Sequence, residues 1–117
     1  MTRRIRVLLS TCPQEAADRI ARQLIEQRLA ACVNVVPGVR SIYRWEGEIQ
    51  DAAESLLILK TREDLVPALE KALLEIHPYD TPELLSLPVE HGAERYLDWI
   101  ADVTGPPQNT PQDTSEA

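Results

Sequence analysis

Phenylalanine is absent, and only three Tyr and two Trp supply aromatic rings. A packed interior must therefore be aliphatic, and each aromatic residue needs its own account. Glycine is scarce too: the four present are scattered, and no glycine-rich phosphate loop can be assembled from them. Cysteine is limited to Cys12 and Cys32, which form neither a disulfide framework nor a metal-knuckle spacing. Two isolated thiols fit a reducing, cytoplasmic compartment. No stretch approaches the ~20 apolar residues of a bilayer span, so no membrane partner is expected. The first apolar run, Val7 to Leu9, is too short for a secretory signal and lies beside charge. Basic residues are the minority, 12 against 19 acidic, for a formal net charge of −7. Affinity for nucleic acid comes largely from Lys and Arg neutralising phosphates, so nucleic acid is not an expected partner either. Arg3, Arg4 and Arg6, a short basic cluster beside a strand, read as a solvated face.

What remains is a chain of 117 residues, 44% hydrophobic, the size and composition of one domain with one core. Ile5 to Thr11 reads as a first strand. Pro13 then suits the first turn of a helix, and Ala17, Ile20, Ala21, Leu24 and Leu29 recur at helical spacing. Ala31 to Val36 is apolar up to Pro37-Gly38. Beyond that pair Val39, Ser41, Tyr43 and Trp45 share one strand face, opposite Arg40, Ile42 and Arg44. Glu46-Gly47 is a turn, and Glu48 to Asp51 leads back toward a strand over Ser55 to Thr61. The centre of that strand, Leu56-Leu57-Ile58-Leu59, is apolar on both faces and belongs in a covered sheet. Helix spacing returns from Arg62 to Ile76 and stops at His77-Pro78. Leu84 to Val89 is a fourth strand, marked by Pro88 as an edge. Glu94 to Val103 is a third helix. Residues 105–117, proline-rich and without apolar periodicity, are expected to be a disordered tail after a domain over residues 1–104. Strand, helix, strand, strand, helix, strand is the α+β, ferredoxin-like βαββαβ sandwich, here with a C-terminal helix.

The central hairpin is too long for such a domain. About 15 residues at ~3.3 Å each extend ~50 Å, whereas a chain of this size has a radius of gyration of ~13 Å. A bare two-stranded ribbon is marginally stable in water and leaves edges unpaired. Either the terminal helix caps it or it docks on a second copy, burying Tyr43 and Trp45. The second arrangement is the more economical and makes those two residues interface candidates.

Several segments carry a resemblance. Ala31-Cys32-Val33-Asn34, the run Pro37 to Gly47, Lys60-Thr61, the run His77-Pro78-Tyr79-Asp80-Thr81-Pro82-Glu83, and Tyr96-Leu97-Asp98-Trp99-Ile100 together resemble the signature of the CutA divalent-cation tolerance family, over about Ile5 to Val103. The resemblance implies a homotrimer of ferredoxin-like domains with an architecture similar to PII signalling proteins. It also implies a part in the response to divalent metals, copper above all, and no enzymatic activity. In some members copper is assigned to a Cys near the end of strand one and to two His before the Pro-Tyr motif. Here the matching positions are Ser10 and Ile76, leaving only His77, so a tight site of that kind is not expected to be reproduced.

His77 has two readings: a metal ligand, as imidazole suits copper, or the cap that ends the second helix. Ser10 and Thr11, at the end of strand one before a helix start, form a niche for a small anion. Lys60, Tyr79 and Glu83 are candidates to border the same cleft across a subunit boundary. Cys12 is either a thiol activated at a helix start or a structural residue, and Cys32 reads as core. The function expected is a trimeric module of metal response or signalling, holding a copper-type metal or a small anion between subunits and requiring no cofactor. A structural trimer without a ligand, and a thiol-dependent enzyme using Cys12, are the alternatives.

Overall fold

The computed structural model describes residues 4–106; positions 107–117 of the expected tail lie outside the described residues. In chain order the elements are β1 (Ile5–Cys12), α1 (Ala17–Glu26), β2 (Cys32–Trp45), β3 (Glu48–Arg62), α2 (Val66–Ile76), β4 (Leu85–Pro88) and α3 (Glu94–Val103), with single 3-10 turns leading into α1 and α2. The strands form one sheet in the order β2-β3-β1-β4, with every pair antiparallel. This is the ferredoxin-like arrangement, and Pro88 does lie on an edge strand.

Alternation decides which residues make the core. Leu8 pairs with Leu59 and Ser10 with Leu57, so these four share the sheet face covered by α1 and α2. From α1 come Ala17, Ile20 and Leu24, and from α2 Leu69, Ala72 and Leu73, all buried. The interior is aliphatic throughout, as a chain without Phe requires. Helix α1 stops at Glu26, short of Leu29, because Arg28 takes a left-handed φ of 60°. The Leu29 N–H then reaches the Leu24 carbonyl and the Arg28 N–H the Ile25 carbonyl, the double bond of a Schellman stop.

The opposite sheet face is only partly covered. Lys60, between the inward-facing Leu59 and Thr61, meets Tyr96 of α3, so α3 crosses that face at one end, over Ile5 and beside Arg62. The rest is apolar and open: Leu85 is 56% exposed and Leu87 48%. Leu9, Leu56 and Ile58 on the same face are only half-buried. The double-sided apolar pattern of β3 is thus satisfied on one side within the chain. Cys32, expected in the core, lies half-buried on this open face opposite Lys60.

β2 does not break at Pro37-Gly38; it runs on through a bulge. Val36 pairs with Leu56 and Val39 with Glu54, so one extra residue is accommodated and Pro37 needs no ladder N–H. Gly38 takes φ 74° and its N–H donates to the Gln14 side chain at 2.7 Å. The hairpin closes through Glu46 and Gly47, both at positive φ, the two-residue turn whose twist suits antiparallel strands. The longest dimension of the chain is 56 Å against 27 and 23 Å across, with a radius of gyration of 15.7 Å.

Gly105, assigned from sequence to the tail, is buried and bonded. Its N–H donates to the Arg28 carbonyl at 2.8 Å, and its carbonyl accepts from Arg28 Nε at 2.6 Å. Shortening the chain after Thr104 is therefore expected to lower Tm by several degrees relative to shortening it after Pro106, since two hydrogen bonds at ~1 kcal/mol each are removed. Calorimetry on the two truncations checks this, and equal midpoints would refute it.

Candidate functional site

The bulge in β2 has a consequence for chemistry. An extra residue flips the alternation, so Ser41, Tyr43 and Trp45 fall on the sheet side that carries Glu54 and Thr11. The segment after α2 closes over the same side. A cleft of about 760 Å³ results, walled by Tyr43, Trp45 and Tyr79 and carrying Glu54, Asp80 and Glu83. Thr11, Ser41 and Thr81 add hydroxyls to the lining.

His77 organises the closing segment. The Tyr79 N–H donates to His77 Nδ1 at 3.0 Å, so that nitrogen is unprotonated. Nε2 then carries the proton and donates it to the Thr11 carbonyl at 2.8 Å. The ring is 7% exposed and lies 4.8 Å from the Tyr79 ring. Both ring nitrogens thus meet backbone partners, and His77 pins the loop to the end of β1. Its backbone N–H also caps α2 through the Leu73 carbonyl, as the second sequence reading had it. Among the described residues no group of three or more His, Cys, Asp and Glu is placed to hold a metal ion.

Four of the five ligand candidates come together. Ser10 Oγ donates to the Glu83 carbonyl at 2.7 Å, and Thr11 Oγ1 reaches Glu83 Oε1 at 3.5 Å. Tyr79 donates its phenol proton to Glu54 Oε2 at 2.7 Å. Lys60 does not join them within the chain. It lies four residues along β3 from Leu56, the partner of Thr11, or ~13 Å, and its Nζ meets Tyr96 Oη at 3.3 Å and stands 5.6 Å from that ring. Within the chain the cleft is lined by three carboxylates, Glu54, Asp80 and Glu83.

Glu54 was not singled out from the sequence, though it is 5% exposed and anchors Tyr79. One signal was available: it stands two residues from Leu56 on a strand otherwise apolar there, and a buried carboxylate must have a partner. Burial first, then the bond to and charge of Glu54, push the Tyr79 phenol well above its usual value of 10.0. A folded-state value above the unfolded one confers stability that is complete below pH ~10 and is lost as pH rises past it. Tyr79→Phe should flatten that alkaline loss in pH-dependent urea melts; an unchanged alkaline slope would contradict the assignment.

Burial likewise pushes the Cys12 thiol up from 9.0, reinforced by Glu54, and its side chain is fully enclosed. A nucleophilic cysteine needs the reverse, a stabilised thiolate with access. Cys12 is a core residue, and the thiol-enzyme alternative loses its nucleophile. Its alkylation at neutral pH is expected to be ~100-fold slower than that of a free thiol; mass-resolved iodoacetamide labelling measures it, and a normal rate would contradict the placement.

Residues 6–103 match the family model described as CutA1 divalent ion tolerance protein. The chain belongs to the CutA1 family. It is 46% identical over 99 residues to the divalent-cation tolerance protein CutA of Thermus thermophilus, across 85% of this chain and 96% of that one. To human Protein CutA it is 48% identical over 95 residues, covering 80% of this chain and 53% of the relative, so it spans about half the length of that longer protein. Among solved structures, CutA1 of Oryza sativa superposes with a TM-score of 0.85 at 46% identity, covering 87% of this chain and 94% of that one. The PII-like protein CutA of Nostoc does so at 0.82 and 35%, covering 86% and 97%. CutA1 relatives carry names of tolerance proteins and not of enzymes. A rice relative is named chloroplastic and an Archaeoglobus structure periplasmic. No helix among the described residues is long and apolar enough to cross a membrane.

Proposed function

We propose that three copies of this chain associate through the open sheet face and the overhanging hairpins, and that the trimer serves divalent-cation tolerance by holding a cation where copies meet. The observation that carries this is unfinished burial. Tyr43 is 46% exposed, Trp45 51% and Ile49 70% on a ribbon that leaves the domain, while Leu85 and Leu87 stand open on the edge strand. An apolar surface of that extent on a chain this small calls for a covering surface, and a second hairpin laid along β4 would supply one. Three-fold assembly comes from the family resemblance, and the PII-like name of the Nostoc structure agrees with a binding or signalling module. The lining of the cleft supports a cation over an anion. A divalent ion such as copper would draw on Glu54, Asp80 or Glu83, with donors completed by a neighbouring copy, and not on His77. Two unpaired cysteines support a cytoplasmic setting.

Calorimetric titration of Cu(II) and Zn(II) into the full chain and into Glu54→Gln tests the metal part. Saturable heat that weakens about tenfold in the variant is expected. Heats indistinguishable from buffer would remove the cation and favour a trimeric scaffold without a ligand.

A further inference from the structure

Arg28 holds a backbone position that nothing in α1 explains. It ends that helix at φ 60°, a place where glycine is the usual occupant because a Cβ is disfavoured there. Its side chain leaves α1 altogether. Nε donates to the Gly105 carbonyl at 2.6 Å and Nη2 to the Asp102 carbonyl at 3.4 Å, while the Arg28 carbonyl accepts from the Gly105 N–H at 2.8 Å. Arg62 reaches the same point from the end of β3. Its Nη1 donates to the Thr104 carbonyl at 3.1 Å, and Asp64 fixes its Nε at 3.0 Å. Helix α3 has no basic residue in its own last turn, although a helix end with unpaired carbonyls favours cations. Two guanidinium groups from elsewhere in the chain take that place.

These bonds join the two faces of the sheet. Ile100 and Ala101 of α3 are buried, yet they lie outside the core cluster that α1 and α2 build on the other face. A helix of ten residues does not hold its shape alone, and an element outside the main core opens as a cooperative unit of its own. What keeps α3 seated is therefore concentrated at its carboxyl end. Every one of these bonds is within one chain, so they stand whatever covers the open face.

We propose that Arg28 and Arg62 form a clasp that holds α3 as a strap across the end of the sheet, and that copies meet only when the clasp is closed. The first half concerns the single chain. The second rests on the reading that copies associate through the open sheet face, which α3 borders where Tyr96 meets Lys60.

Arg28→Gly separates a clasp from a plain helix stop. If Arg28 does no more than end α1, glycine relieves the left-handed backbone and nothing loosens. The clasp predicts the reverse. Hydrogen exchange of the full chain, resolved by mass spectrometry, should show residues 94–104 exchanging at least about tenfold faster in the variant, with β1 and residues 17–24 within about twofold of the unaltered chain. Sedimentation velocity should show self-association weakened at least about tenfold. Gly105→Ala, whose Cβ would stand 2.7 Å from an Arg62 nitrogen, disturbs the clasp from its other side and should reproduce both effects. Unchanged or slower exchange of α3 in the two variants overturns the proposal, and so does acceleration that spreads equally through β1 and β3. Faster α3 exchange with undiminished assembly overturns its second half. An unaltered chain that is itself monomeric would overturn the assembly reading and that second half with it, while the exchange comparison still decides the clasp.

Discussion

Leu85→Asp/Leu87→Asp is expected to yield folded monomers at concentrations where the unaltered chain is fully assembled. Both leucines lie on β4, a four-residue edge strand with every side chain exposed, and register with Leu9 and Val7 on the open face. Burying half a leucine contributes ~1–1.5 kcal/mol, so the pair supplies ~2–3 kcal/mol to each contact between copies. Removing it weakens each contact up to about 100-fold, and burying aspartates in their place adds a desolvation cost. Neither side chain touches the core between sheet and helices, so the fold should survive. Sedimentation velocity and far-ultraviolet circular dichroism read the two quantities separately. Retained assembly in the double variant would mean that copies meet elsewhere.

His77→Ala is expected to lower stability by about 3 kcal/mol while leaving the metal response intact. Removing the imidazole strands the Thr11 carbonyl and the Tyr79 N–H, both part of a near-buried contact, at ~1–3 kcal/mol each. For a chain of this length that corresponds to a fall in Tm on the order of 10 °C. The loop over residues 78–83, which forms one wall of the cleft, should become the first segment to exchange amide hydrogens. A metal-ligand role predicts the opposite pattern: a nearly unchanged midpoint without metal and loss of copper heat. His77→Gln, which keeps an amide N–H for Thr11, should recover part of the stability and so guards against a simple failure to fold.

Much of the fold could be read from apolar spacing, because α1, α2 and β1 meet one core. Helix α3 matches its expected bounds at Glu94 and Val103, and Glu46-Gly47 is the turn expected. The misses share a cause. Continuity of β2 through Pro37-Gly38 depends on a bulge and on the Gln14 side chain, 24 residues away, which no local pattern reports. Gly105 looks like the start of a tail until Arg28 is seen to bond its N–H and carbonyl. Its φ of 84°, with Arg62 nitrogens 2.7 and 2.9 Å from where a Cβ would stand, explains why glycine sits there.

The site was legible as a set of residue types and not as a geometry. Ser10, Thr11, Tyr79 and Glu83 converge because β1 ends where the loop after α2 returns. Lys60 shares their polarity and the sheet face of Thr11 but lies ~13 Å along β3, beside Tyr96 of α3. For His77 sequence offered two roles, ligand or cap, and no local pattern reports that its ring nitrogens meet the Thr11 carbonyl and the Tyr79 N–H. Glu54 went unnoticed because charge at a surface hairpin and charge beneath a tyrosine look the same in one dimension.

Multi-angle light scattering across a dilution series bears most directly on the claim that this chain is completed by copies of itself. A mass near three times 13.2 kDa, steady down to low micromolar concentration, is the predicted result. A well-folded species of single-chain mass at those concentrations would contradict it.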